Sequence, residues 1–165
     1  ASAIGFVFVA SSPRAVTADQ AAALGQNLAV RKVGIFTDAG AAEIAAIAER
    51  AGLDAAQVYS DPGALALPLW RAYRIQDAIP ELDPAAEAVV LDGTANGVSF
   101  DWRMAAEARS RRVVLAGGLN PGNVGQAIRV ARPWGVDVSS GVELAPGVKD
   151  ARKILEFVKA AREAA

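Results

Sequence analysis

Val114-Leu-Ala-Gly-Gly-Leu-Asn-Pro-Gly-Asn-Val124 and, a dozen residues on, Val136-Asp-Val-Ser-Ser-Gly-Val-Glu143 share one design. In each, apolar strand-forming residues run into small ones. A buried parallel strand that ends in Gly or Ser leaves backbone N–H groups bare, and such ends can approach a phosphate closely. Two successive strand ends of this kind point to a phosphate cup made by Gly117, Gly118, Ser140 and Gly141. Glycines after a strand also permit tight turns, and for one loop alone that reading stands equally open.

Outward from these stretches, short apolar runs alternate with alanine-rich amphipathic segments, the mark of a parallel sheet covered by helices. The predicted strands are Ile4–Val9, Lys32–Phe36, Ala55–Tyr59, Leu69–Tyr73, Ala88–Leu91, Arg112–Ala116 and Gly135–Val138. Thr17 with Gln20 predicts a capping box for a helix reaching about Leu28, and Gly52 closes the helix Ala41–Ala51. Asn120-Pro121 predicts the cap and first turn of a helix to Arg132. Asp150 caps a closing helix whose Ile154, Phe157, Val158 and Ala161 form an apolar stripe. The class is α/β. Periodicity alone allows an open doubly wound sheet or a barrel one unit short of eight. The nine residues between Tyr59 and Leu69 are too few for the usual parallel crossover of a dozen or more.

Over half of the 165 residues are hydrophobic, enough for a sizeable core in one domain, 1–165. Seventeen basic residues against 18 acidic, dispersed along the chain, give no electrostatic footprint for nucleic acid or an anionic membrane. Without cysteine or histidine there are no disulfides, thiolate nucleophiles, imidazole bases or zinc sites of those ligands. Proton transfer falls to Asp, Glu, Lys, Tyr or Arg. No apolar run is long enough for a membrane helix and the start lacks a signal-peptide pattern, so a cytoplasmic setting is expected. The oligomeric state, monomer or homodimer, is left open.

These blocks resemble the last two βα units of the phosphoribosylanthranilate isomerases. Ala3-Ile-Gly-Phe-Val-Phe8 with Ser12-Pro-Arg14 looks like that family's second strand and loop, Lys32-Val-Gly-Ile-Phe36 like its third strand, and Val89-Val-Leu-Asp92 with Phe100-Asp-Trp102 like its sixth strand and the following segment. The resemblance implies a TIM (β/α)8 barrel of which residues 1–165 carry about seven βα units, the first strand and helix being absent, as a single domain incomplete at its N-terminus. It implies an Amadori rearrangement of N-(5'-phosphoribosyl)anthranilate to 1-(2-carboxyphenylamino)-1-deoxyribulose 5-phosphate, an isomerase step of tryptophan biosynthesis. No cofactor is implied, because the substrate nitrogen is the electron sink. The partner is a phosphorylated small molecule.

By the same resemblance Asp92 is the general acid that opens the furanose ring, which requires its pKa to be raised by burial or by nearby negative charge. By pattern alone, Asp92-Gly93 also reads as a turn. Arg14 is implied as the guanidinium that holds the anthranilate carboxylate, with a solvated arginine as the alternative. Asp137 matches an aspartate at the end of the eighth strand; buried there it would need partners, so a structural role stands beside substrate contact. Arg71 and Arg74 are assigned no role, and Trp70, Trp102 and Trp134 are expected to pack between helices and strands.

Three departures fall on the strands' C-terminal side. The family's base is a cysteine on its first strand, and this chain has none. Tyr59-Ser60-Asp61 stands where the family has His-Gly-Asp, and the loop Gly93–Ser99 is abbreviated. The alternatives are therefore a phosphate-binding scaffold or fragment without the base and, more weakly, a related sugar-phosphate isomerase with paired aspartates.

Overall fold

The computed structural model describes residues 1–93, 100–108 and 112–165. The chain packs as two compact units, Ala1–Arg71 with Ala85–Glu87, and Ala72–Pro84 with Ala88–Ala165.

The first unit contains β1 (Ala3–Val7), α1 (Ala18–Gly25), β2 (Arg31–Phe36), α2 (Ala41–Ala51), β3 (Ala55–Val58) and the start of β4 (Leu69–Arg74). The strands pair in parallel in chain order, with Gly5 opposite Val33, Val33 opposite Ala55, and Ala56 opposite Leu69. All four residues of β3 are buried, as expected for a strand covered on both faces. Phe6, Phe36, Ile44, Ala48, Leu53 and Val58 form the core, and Phe8 stacks on Phe36 at 5.2 Å. Gly34 makes room for them, since a Cβ there would meet Leu53 Cδ1 at 2.5 Å and Phe36 Cε2 at 2.7 Å. At the strands' N-terminal ends, Glu87 accepts both nitrogens of the Arg31 fork at 2.6 and 3.1 Å and the Trp70 indole N–H at 3.3 Å. Arg31 also lies over the Trp70 ring at 5.4 Å.

The capping box forms as expected: the Thr17 hydroxyl accepts from the Gln20 N–H, and the Gln20 side chain accepts from the Thr17 N–H. The helix stops at Gly25 rather than about Leu28, because Asn27 is left-handed at φ 68°. Gly52, also left-handed, ends α2. No helix lies between β3 and β4; Ser60 donates to the Thr37 carbonyl and Asp61 caps the Gly63 N–H in a loop.

The second unit continues β4 and adds β5 (Ala88–Asp92), a 3₁₀ helix (Trp102–Ala108), β6 (Val113–Leu115), α3 (Val124–Ala131), β7 (Gly135–Val136), a 3₁₀ turn (Ser140–Val142), the hairpin β8 (Glu143–Ala145) and β9 (Val148–Lys149), and α4 (Ala151–Ala164). Strands β5, β6 and β7 are parallel neighbours in that order, and α3 packs on α4 and on the long 3₁₀ helix. Val89, Val90, Leu91, Leu115, Val124 and Ala127 are fully buried.

Three expectations need correction. The cap of α3 is Asn123; Asn120 instead starts the turn before it, its carboxamide oxygen accepting from the Gly122 N–H while its own N–H donates to Asn123 Oδ1. Trp134 does not pack inside but is 53% exposed beneath the Arg112 guanidinium. In the α4 stripe Phe157 is buried, whereas Ile154 stays 38% exposed. Asp150 caps α4 as expected, accepting from the N–H groups of Arg152 and Lys153.

Candidate active site

In the second unit, ladder register decides which residues share a rim. Leu91 is opposite Leu115, and Leu115 is opposite Val136. The next residues are therefore level: Asp92 ends β5, Ala116 follows β6, and Asp137 follows β7. Two hydrogen bonds continue the ladder past the strands, from the Ala116 N–H to the Leu91 carbonyl at 2.8 Å and from the Asp137 N–H to the Leu115 carbonyl at 2.9 Å. Being in register, Asp92 and Asp137 belong to the same face, two strand spacings or about 10 Å apart along the rim.

The electrostatics agree. Crowding by protein raises the Asp137 pKa first, and the negative charge of Asp92 raises it further, while Lys149 and the Val138 N–H pull it down. Asp137, expected to be buried, is exposed: β7 stops at Val136, and past the ladder the residue keeps access to water even though surrounding protein crowds its carboxyl. Asp92 is half-buried and its carbonyl accepts from the Ile75 N–H at 2.8 Å.

The two small-residue loops lie against this rim. Gly117 and Gly118 are both left-handed, at φ 81° and 66°, and their N–H groups find no acceptor among the described residues. The Gly118 carbonyl accepts from the Asn123 side chain at 2.9 Å, which ties the loop to the start of α3. Gly141 touches the same loop from the other side: a Cβ on it would meet the Leu119 carbonyl oxygen at 1.9 Å. The two loops thus pack backbone to backbone, and Gly117, Gly118, Ser140 and Gly141 come together as one small-residue surface. Such a surface, rich in bare N–H groups, suits an anion.

Lys149 was not singled out in the sequence. It donates to the Ser139 carbonyl at 3.0 Å and to Glu143 Oε1 at 2.8 Å, and Lys153 reaches the Glu143 carbonyl at 2.8 Å, so the hairpin braces the Ser139–Val142 turn. The signal for that hairpin was Pro146-Gly147, a proline followed by a left-handed glycine at φ 84°, as a type II turn needs. Of the abbreviated loop Gly93–Ser99, residues 94–99 lie outside the described residues.

In the first unit, Arg14 follows the C-terminal end of β1 in a tight turn. Its N–H donates to Ser12 Oγ at 3.1 Å, the Ala15 N–H to the Ser12 carbonyl, and the Val16 N–H to the Val7 carbonyl. Its side chain is half-buried. Arg71, given no role from sequence, donates to the Ser60 carbonyl at the end of β3.

Parallel strands in chain order, helices on several of the crossovers, and a carboxyl beside small-residue loops at the strands' C-terminal ends define an enzyme of the (β/α)-barrel class. The family model "N-(5'phosphoribosyl)anthranilate (PRA) isomerase" matches residues 1–160. The N-(5'-phosphoribosyl)anthranilate isomerase of Solibacter usitatus is 43% identical over 182 aligned positions, covering 99% of this chain and 88% of the relative. Among solved structures, the phosphoribosyl anthranilate isomerase of Thermus thermophilus superposes with a TM-score of 0.87 at 32% identity, covering 100% of this chain and 90% of that one. A further isomerase structure, in complex with reduced 1-(o-carboxyphenylamino)-1-deoxyribulose 5-phosphate, superposes with a TM-score of 0.84 at 32% identity and covers 99% and 88%. The chain belongs to the N-(5'-phosphoribosyl)anthranilate isomerase family.

Proposed function

We propose that the chain carries out the Amadori rearrangement of N-(5'-phosphoribosyl)anthranilate in tryptophan biosynthesis, with Asp92 as the general acid. Asp92 protonates the furanose ring oxygen, the C1′–O bond opens to an iminium, and transfer of the C2′ proton to a general base, a role the family gives to a cysteine that these residues do not include, yields the enolamine that becomes the ketose. Gly117, Gly118, Ser140 and Gly141 hold the phosphate through backbone N–H groups, Asp137 contacts the substrate from the level of Asp92, and Arg14 takes the anthranilate carboxylate. The observation that carries this reading is the shared rim, with Asp92 ending β5 while the β6 and β7 loops meet beside it. A cytoplasmic monomer or homodimer belongs to the same reading, and the near balance of 17 basic and 18 acidic residues supports a site without a nucleic-acid or membrane partner.

The test is Asp92→Asn. Turnover should fall by about 10² to 10⁴-fold, the usual contribution of a positioned acid, while the affinity for reduced 1-(o-carboxyphenylamino)-1-deoxyribulose 5-phosphate stays within about threefold. Turnover that survives the substitution removes Asp92 from the role. One observation favours a second reading, a phosphate-binding barrel without turnover: no cysteine is present among the 165 residues to act as the family's base. Saturable binding of that analogue with no proton exchange at C2′ is its signature.

A further inference from the structure

Gly117 meets a demand that phosphate binding does not create. A Cβ on it would lie 2.1 Å from the Gly93 nitrogen, 2.6 Å from Gly93 Cα and 2.8 Å from Asp92 Oδ1. The volume a side chain would fill is taken up by the peptide after Asp92 and by the carboxyl itself. That peptide cannot easily retreat. The Asp92 carbonyl is held by the Ile75 N–H on one side, and the Leu91 carbonyl by the Ala116 N–H on the other, both at 2.8 Å. The left-handed φ of 81° adds a second reason for glycine, but it would be met by turning the loop, whereas the contact with Gly93 and Asp92 would not.

We propose that Gly117 is a positioning residue for the proton transfer: its bare α-carbon is the wall against which the Asp92 carboxyl is set, so the turn offered to the phosphate also aims the acid. The inference rests on Asp92 being that acid. It makes the phosphate loop and the proton donor one mechanical piece, because a group bound at Gly117-Gly118 presses on the turn that bounds the carboxyl. Displacing a reacting group by about 1 Å can cost about a hundredfold in rate.

The experiment compares Gly117→Ala, Asp92→Asn and the double variant, with NMR titration of the unsubstituted protein beside them. Gly117→Ala should lower kcat about a hundredfold, in addition to any rise in KM from the displaced phosphate loop, and shift the high-pH limb of the pH–rate profile, where the acid loses its proton. In the Asp92→Asn background the same alanine should cost less than about threefold more, since residues acting as one unit are not additive. In the unsubstituted protein, the Gly117 amide and α-proton signals should titrate with the midpoint of the Asp92 carboxyl carbon. A rise in KM with kcat intact, or an undiminished loss in the double variant, would show that Gly117 serves the phosphate alone. Gly117 signals that ignore the Asp92 titration overturn the inference even where the alanine variant does not fold. An Asp92→Asn protein with full turnover sinks the assignment of the acid instead, and Gly117 signals that still follow the carboxyl show that this failure is separate.

Discussion

Gly141→Ala isolates the contact between the two small-residue loops. Gly141 has no positive φ, so the substitution adds no backbone strain and acts through the new methyl alone. That methyl would sit 1.9 Å from the Leu119 carbonyl oxygen, 2.9 Å from its carbon and 3.1 Å from Asn120 Cα; ordinary contact begins at 3.4 Å, so the loops must part by about 1.5 Å. The Leu119–Asn120 side is the less able to move. Leu119 is buried, the Asn120 carbonyl accepts from the N–H groups of Asn123 and Val124, and the Asn120 N–H is held by the Asn123 side chain. The Ser140–Gly141 turn therefore yields. Overpacking of this kind costs about 1–3 kcal/mol, which at about 2–4 °C per kcal/mol for a chain of this size lowers Tm by roughly 2–12 °C. A phosphate that loses one charge-assisted N–H bond at about 1.5–3 kcal/mol binds roughly 10- to 100-fold more weakly. Differential scanning calorimetry and titration with reduced 1-(o-carboxyphenylamino)-1-deoxyribulose 5-phosphate measure the two effects. A variant that melts within about 1 °C of the parent and binds within about threefold would refute the packed two-loop cup.

Two further outcomes follow from the same geometry. The raised pKa of Asp137 means that the folded chain keeps a proton the unfolded chain has lost, so its contribution to stability falls as pH rises from the ordinary value of 3.8 through the folded midpoint. Asp137→Asn should therefore stabilise the protein at pH 7 relative to pH 3 when each is compared with the parent; thermal melts in which the difference is flat or reversed contradict it, and with no histidine in the chain no imidazole blurs the window. Arg14→Ala should raise KM about tenfold or more with kcat little changed, because a carboxylate clamp is made equally in ground and transition states; a loss confined to kcat in steady-state kinetics rules that role out.

How much of this was legible in the residues varies with the range of the interaction. Strands β5 and β6 read directly from their Val-Leu runs, because residues covered on both faces of a parallel sheet are almost all apolar, and β3 departs from that only at buried Gln57. The Thr17–Gln20 capping box, the Gly52 stop and the Asp150 cap are local exchanges between neighbours in sequence, so their residue types announce them. The α3 cap was misplaced by three residues because two asparagines, at 120 and 123, compete for one helix start and only their mutual hydrogen bonds settle it.

The α/β class, the positions of the strands and the small-residue character of two strand ends were therefore legible in the chain alone, since hydrophobic period and turn chemistry act over a few residues, and the resemblance of its sequence blocks pointed to the family. Tertiary structure decided what meets what: that Asp137, just past the half-buried β7, is open to water, that Lys149 braces the Ser139 turn, and that Gly117 is bare because Asp92 and Gly93 fill the space beside it. Each of these depends on a contact between segments distant in sequence, whose register is fixed by the ladder and not by any residue's own preference.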